Sequence, residues 1–203
     1  MNDVKKSNRM VLLLIAGLPV TMILMATWLW VYVVDGDIDI VQIMGTANRG
    51  ELLDPPQPLQ DLQLQLASGE AYTPESELEP AWKILIVGGS VCATECEQAL
   101  HYTRQIHTAM GKYQNRIERL YLLPDAIKAE RRAAELSEEH PKLKVLYNAG
   151  PEQLELGVVR PDGVLPAYYL VDPRGWVMMY YRSSTDGKDV MADLKFLLKN
   201  SGG

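Results

Sequence analysis

The sequence predicts an α/β domain carried on one N-terminal membrane-spanning helix. Three observations lead there. Residues 10–34 contain no charged side chain, short apolar runs and helical periodicities alternate from Ala81 onward, and the only two cysteines, Cys92 and Cys96, stand where an apolar run gives way to a helical one.

Met10 to Val34 is 25 residues long, about 37 Å as a helix, which spans a hydrocarbon core with some tilt. Lys5, Lys6 and Arg9 precede it and Asp35, Asp37 and Asp39 follow. The positive-inside rule therefore puts residues 1–9 in the cytoplasm and the rest outside. Trp28, Trp30 and Tyr32 suit an aromatic interfacial belt, and Pro19 is tolerable inside a membrane helix. A cleaved signal peptide fits less well, because the run is too long and no Ala-x-Ala-like site follows it.

Twenty Lys and Arg against 26 Asp and Glu give a formal charge of -6, which argues against nucleic acid as a partner. Beyond the anchor there is chain enough for one domain with a real core. Residues 35–80 shift in composition, and Pro55, Pro56, Pro58, Pro74 and Pro80 read as a tether. Within it Leu59-Gln-Asp-Leu-Gln-Leu-Gln-Leu66 alternates as a strand would, followed by a turn at Ala67-Ser-Gly-Glu70.

The domain itself is expected over residues 81–200. Trp82 to Val87 reads as a buried strand, and Gly88-Gly89 lets the chain turn before a helix spaced on Leu100, Thr103, Ile106 and Met110. Ile117 to Leu123 is a second strand. Asp125 caps a charged amphipathic helix from Ala126 to about Glu139 that Pro141 ends. Its Lys128 to Arg132 stretch, with Glu135, Glu138 and Glu139, reads as a solvated face. Val145 to Tyr147 is a third, weaker strand, and residues 151–163 form a loop. Asp172-Pro-Arg-Gly175 is a turn between strands 167–171 and 176–181, hence a hairpin. Alternation buries about half of Tyr168, Tyr169, Tyr180 and Tyr181. A helix over 189–199 closes the chain.

Two sulfurs at a strand-to-helix junction point to redox or soft-metal chemistry, since backbone N–H groups at a helix N-terminus favour a thiolate. Ser90 as N-cap puts Cys92 in the first turn; a Thr94–Glu97 capping box instead leaves it before the helix. Either way the sulfurs stay close, and a bridge between positions four apart is not ideal, favouring a reversible dithiol over a structural staple. Glu95 and Glu97 oppose a thiolate. His101, His107 and His140 read as surface or cap residues rather than ligands, and no zinc-type cluster, phosphate loop or G-x-S-x-G elbow is present.

The element order, with Leu165-Pro166 directly before the penultimate strand, resembles the thioredoxin fold: a central mixed sheet flanked by helices, with Pro166 facing the cysteine motif. Within that fold the anchor, Cys92-x-x-x-Cys96 and Tyr169-Leu-Val-Asp-Pro-Arg-Gly175 resemble the Sco (SenC-type) family of membrane-anchored proteins that help assemble the copper site of cytochrome c oxidase. Asn48-Arg-Gly-Glu-Leu-Leu-Asp-Pro55 is similar to a segment of small Sco-like proteins of bacterial oxidases. The resemblance implies a bacterial inner-membrane protein with a periplasmic domain, a cytochrome oxidase subunit or its assembly machinery as partner, and Cys92 and Cys96 as both redox pair and metal ligands. The family's copper-ligating histidine is absent, however: Gly163-Val-Leu-Pro166 stands in that region. Two thiolates suit Cu(I), whereas Cu(II) prefers added nitrogen donors. Three readings follow: an oxidase assembly factor working by dithiol exchange or transient Cu(I) holding, a general thiol:disulfide oxidoreductase in which Cys92 attacks and Cys96 resolves, and a tethered binding module without chemistry.

Overall fold

A computed structural model describes residues 2–34, 48–75, 80–88, 94–150 and 168–200. They fall into two compact units, divided after Ala47.

The first unit carries helix α1 (Asn2–Val34), which continues through Pro19. Its Leu14–Val31 stretch is long and apolar enough to cross a membrane. Thr21 and Thr27 return their hydroxyls to the Leu18 and Ile23 carbonyls at 2.9 and 2.8 Å, so neither presents an unsatisfied donor to an apolar solvent.

The second unit is a seven-stranded mixed sheet in the order β1-β7-β6-β3-β4-β5-β2. Its strands are β1 (Glu51–Pro58), β2 (Leu64–Leu66), β3 (Trp82–Val87), β4 (Ile117–Leu123), β5 (Leu143–Asn148), β6 (Tyr168–Val171) and β7 (Trp176–Tyr181). The central β3, β4 and β5 are parallel, and the remaining pairings are antiparallel. Helices α2 (Thr94–Ala109) and α3 (Ala126–Leu136) are the crossovers of the two parallel pairs, and α4 (Gly187–Asn200) follows β7. Because β3, β4 and β5 advance in one direction and such crossovers share one hand, α2 and α3 fall on the same face. There Leu100, Ile106, Ala129, Leu136, Val190 and Leu194 join one core with Ile84, Tyr121 and Tyr168 of the sheet. The expected thioredoxin-like α/β architecture is present.

The other face is covered by a segment expected to be tether. Leu53, Leu59, Leu62 and Leu64 pack there on Leu85, Leu120, Val171 and Val177. The compact unit that holds the sheet therefore includes this segment from Asn48 onward. The prolines of β1 are accommodated because it is an edge strand, whose pairing with β7 shifts register between Leu52 and Gln57. The strand expected over 59–66 forms only at Leu64–Leu66, against β5. Covering this face buries Tyr169 and Tyr180 as the helices bury Tyr168 and Tyr181, so all four hairpin tyrosines are buried, not half of them.

The start of the domain is pinned by Asp193 of α4. This buried carboxylate accepts the Arg49 N–H at 2.9 Å, the Gly50 N–H at 2.9 Å and the Tyr181 hydroxyl at 3.1 Å. A Cβ at Gly50 would lie 2.3 Å from Met179 Sδ, so only glycine lets the backbone come this close. Elsewhere Asp125 caps α3, accepting the Lys128 N–H at 2.9 Å. That helix stops at Leu136, three residues short of the expected end, where His140 closes its last turn on the Leu136 carbonyl at 2.7 Å. The hairpin turn is as expected, with Gly175 at φ +90 donating to the Asp172 carbonyl at 3.0 Å.

Candidate functional site: the surroundings of Cys96

β3 runs Trp82-Lys-Ile-Leu-Ile-Val87 and ends at Gly88; α2 begins at Thr94. Cys96 lies in the first turn of α2, half-buried against the core, and is disulfide-bonded. The chain's other cysteine, Cys92, lies outside the described residues, as do Ser90 and Pro166.

The sulfur of Cys96 meets a hydroxyl. Tyr121 Oη of β4 is 3.2 Å from Cys96 Sγ. Alternation along Ile117-Glu-Arg-Leu-Tyr-Leu-Leu123 sends Ile117, Arg119, Tyr121 and Leu123 to the helix face, and Tyr121 is fully buried there. Burial raises its pKa, against the lowering effect of Arg132, so the phenol stays neutral and keeps a proton to donate. The ring presses against Gly88, where a Cβ would lie 2.7 Å from Tyr121 Oη and from Leu123 Cδ2. Gly88 is thus required by close approach, beyond the tight turn expected of it.

Behind the tyrosine is Arg132 of α3, whose charge acts on the phenol. Its guanidinium also donates to Glu97 Oε1 at 2.7 Å and Glu135 Oε2 at 2.8 Å. Burial alone would lower the Arg132 pKa, but these carboxylates win and raise it. The sulfur on α2 thus meets a hydroxyl of β4, and an Arg132–Glu97 ion pair ties α3 back to α2 beside it. Glu97, expected to repel a thiolate, is held by a cation instead. The face expected to be merely solvated, Lys128 to Arg132, does make surface pairs such as Arg131–Glu135 at 2.9 Å, but Arg132 turns inward. Neither Tyr121 nor Arg132 was named as a site residue from the sequence; the one available signal was a polar-tipped Tyr121 in the inward series of β4, which also carries Arg119.

Beside the same helix end is a cavity of about 480 Å³ whose lining includes Thr94, Glu97, Gln98, Tyr102 and Tyr168. Tyr168 opens β6, two residues after Pro166, so this strand start and the cysteine-bearing turn border one cavity. Its buried hydroxyl has no partner among the described residues, and burial raises its pKa.

The histidines divide differently from expectation. His101 is exposed, 2.8 Å from the Gln105 amide nitrogen. His107 of α2 and His140 in the turn after α3 are both buried. His107 Nε2 sits between the Gln114 and Ile117 carbonyls at 3.2 and 3.1 Å and so carries the proton. Among the described residues no group of three His, Cys, Asp or Glu could hold a metal ion. Of the donor set expected for copper, Cys96 is the described member, and no described histidine stands beside it.

A family model described as the transmembrane-like, thioredoxin-like C-terminal domain matches residues 82–201. The chain belongs to this family. The match covers the sheet from β3 and all three helices of the thioredoxin-like domain, and stops short of β1 and β2. No curated protein sequence matches the chain. Solved structures similar in fold include apo Sco1 from Thermus thermophilus, at 19% identity and TM-score 0.54, covering 75% of this chain and 98% of that one. Copper-bound yeast Sco1 is similar at 19% identity and TM-score 0.52, covering 71% and 88%. Copper-bound ScoI of Arabidopsis thaliana is similar at 16% and 0.51, covering 71% and 98%.

Proposed function

We propose that this chain is a membrane-anchored, thioredoxin-fold assembly factor for a respiratory cytochrome c oxidase, acting through Cys92 and Cys96. The observation that carries the reading is Cys96 itself: disulfide-bonded in the first turn of α2, with a neutral phenol 3.2 Å from its sulfur. A sulfur so placed gains from helix N–H groups and from the hydroxyl when it becomes a thiolate.

In dithiol exchange, the Cys92 thiolate attacks a client disulfide and one client sulfur leaves as thiolate. The Cys96 thiolate then attacks Cys92 Sγ, the second client sulfur leaves, and the Cys92–Cys96 disulfide forms. Two electrons pass to the client, and a thiol reductant outside the chain must restore the pair. Pro166 helps position the client strand, and the cavity between Thr94 and Tyr168 receives it. Copper in this reading is cargo: two thiolates hold Cu(I), and among the described residues the donors around Cys96 offer nothing suited to Cu(II). Helix α1 keeps the domain beside a membrane-embedded client, with the N-terminus in the cytoplasm and the domain in the periplasm of a bacterial inner membrane.

Anaerobic Cu(I) titration of the full chain in detergent, beside a reduction-potential measurement, tests this. Stoichiometric Cu(I) or a dithiol that reduces an oxidase copper-site peptide is expected. Oxidase activity lost on deletion and restored in full by a Cys92→Ser, Cys96→Ser double variant would overturn the chemistry.

A further inference from the structure

Arg119 belongs to the inward series of β4 and is the one cation in it, 2% exposed among core side chains. A guanidinium keeps its charge at any ordinary pH, so burying it normally requires a carboxylate. None is within ion-pair distance among the described residues. Nη2 donates to the Leu100 carbonyl at 2.7 Å and Thr103 Oγ1 at 3.1 Å, and stands 3.5 Å from His140 Nδ1. These acceptors are all neutral. The Nε–H, buried as well, meets no acceptor among the described residues. Burial, with the Arg104 charge adding to it, pulls the pKa of Arg119 down to about 10, and no carboxylate opposes the shift.

Arg119 lines a cavity of about 200 Å³ between α2 and the turn after α3, together with Arg104, Lys142, His107 and His140. Three permanent cations converge there. Among the described residues Arg104 has one carboxylate near it, Glu139 at 3.5 Å, and Lys142 reaches only the Gln114 side-chain oxygen at 3.3 Å. Burial, and the Arg119 charge, lower the pKa of both histidines, and this outweighs the opposing charge of Glu139, whose Oε1 stands 4.0 Å from His140 Nε2. The volume is below the roughly 300 Å³ at which sites for larger organic ligands begin. We infer that this cavity binds a small free oxyanion of phosphate or carboxylate type, with the buried Arg119 guanidinium as its inner charge and Arg104 and Lys142 as an outer clamp.

The site is separate from the cysteine pair, although both draw on β4 and α2. Its occupant supplies the negative charge that the buried guanidinium lacks, so binding stabilises the fold by mass action. Calorimetric titration of the full chain in detergent with inorganic phosphate, and separately with acetate, at ionic strength held constant with chloride, tests it. One equivalent of phosphate or acetate is expected to bind, with a matching rise in Tm. The rim variants Arg104→Gln and Lys142→Gln each weaken binding about tenfold, while Arg131→Gln on the exposed face of α3 leaves it unchanged. Arg119→Met abolishes the response; should that variant fail to fold, the rim variants decide. A Tm that follows ionic strength alone, no heat with either anion, or equal affinity in an Arg104→Gln, Lys142→Gln double variant would refute the site.

Discussion

Replacing Asp193 with alanine tests whether the first strand is built into the domain or merely lies on it. The carboxylate takes three donors, the N–H groups of Arg49 and Gly50 and the hydroxyl of Tyr181. Hydrogen bonds to a charged acceptor contribute about 1.5–3 kcal/mol each, which bounds the loss at about 4.5–9 kcal/mol. The two backbone donors precede an edge strand and recover water once it lifts, whereas the hydroxyl of Tyr181 stays in the core. The net cost is therefore about 3–5 kcal/mol, a large share of an ordinary domain's stability. Urea unfolding of the full chain in mild detergent measures it, and hydrogen exchange locates it. Protection of residues 51–58 should fall well before that of β3, β4 and β5. Tyr181→Phe, which removes one donor and leaves the carboxylate its other two, should cost about 1–2 kcal/mol. In that background Asp193→Ala should cost correspondingly less. A loss under about 1 kcal/mol in Asp193→Ala, or unchanged exchange in β1, would refute the reasoning.

Tyr121→Phe removes the proton donor beside Cys96 Sγ, which serves a thiolate better than a disulfide sulfur. The reduction potential should fall by about 30 mV, measured against a glutathione buffer, if the lost bond contributes about 1.4 kcal/mol; an unchanged potential would mean the hydroxyl is only packing. Gly88→Ala drives a methyl into Tyr121 and Leu123. It should cost about 1–3 kcal/mol in urea and alter the same potential by displacing the ring. The pKa of His107 is lowered by burial, so the unfolded chain binds a proton that the folded chain refuses. Its contribution to stability is whole above the unfolded value of 6.5 and declines as pH falls through the lower folded value. Urea midpoints from pH 7 to 5 should drop in the parent and drop less in His107→Gln, and parallel curves would exclude His107 as a source.

Much of the domain was legible because its signals are local. The uncharged run of α1, the apolar β3 and β4, the Asp125 cap and the Asp172–Gly175 turn are each specified within a few residues. β1 was hidden because nothing near Pro55, Pro56 and Pro58 reveals a partner 129 positions away at Tyr180. The same non-local cover explains why Tyr169 and Tyr180 are buried although alternation alone leaves one face wet. At the site, the sequence supplied Cys96 and its helix N-terminus. Tyr121 and Arg132 became part of it only when α3 packed beside α2, a juxtaposition set by the direction in which β3, β4 and β5 advance.

The pairing of β1 with β7 also orders events during synthesis. Glu51 is made early, yet its neighbour Tyr180 and the Asp193 that secures it come at the end of the chain. The 142 residues from Glu51 to Asp193 take about 7–28 s to translate at 5–20 residues per second. Throughout that interval β1 lacks the neighbour it pairs with. Its three prolines withhold the N–H groups a neighbouring chain would need, so the features that obscured β1 as a strand also protect it from pairing with the wrong partner while it waits.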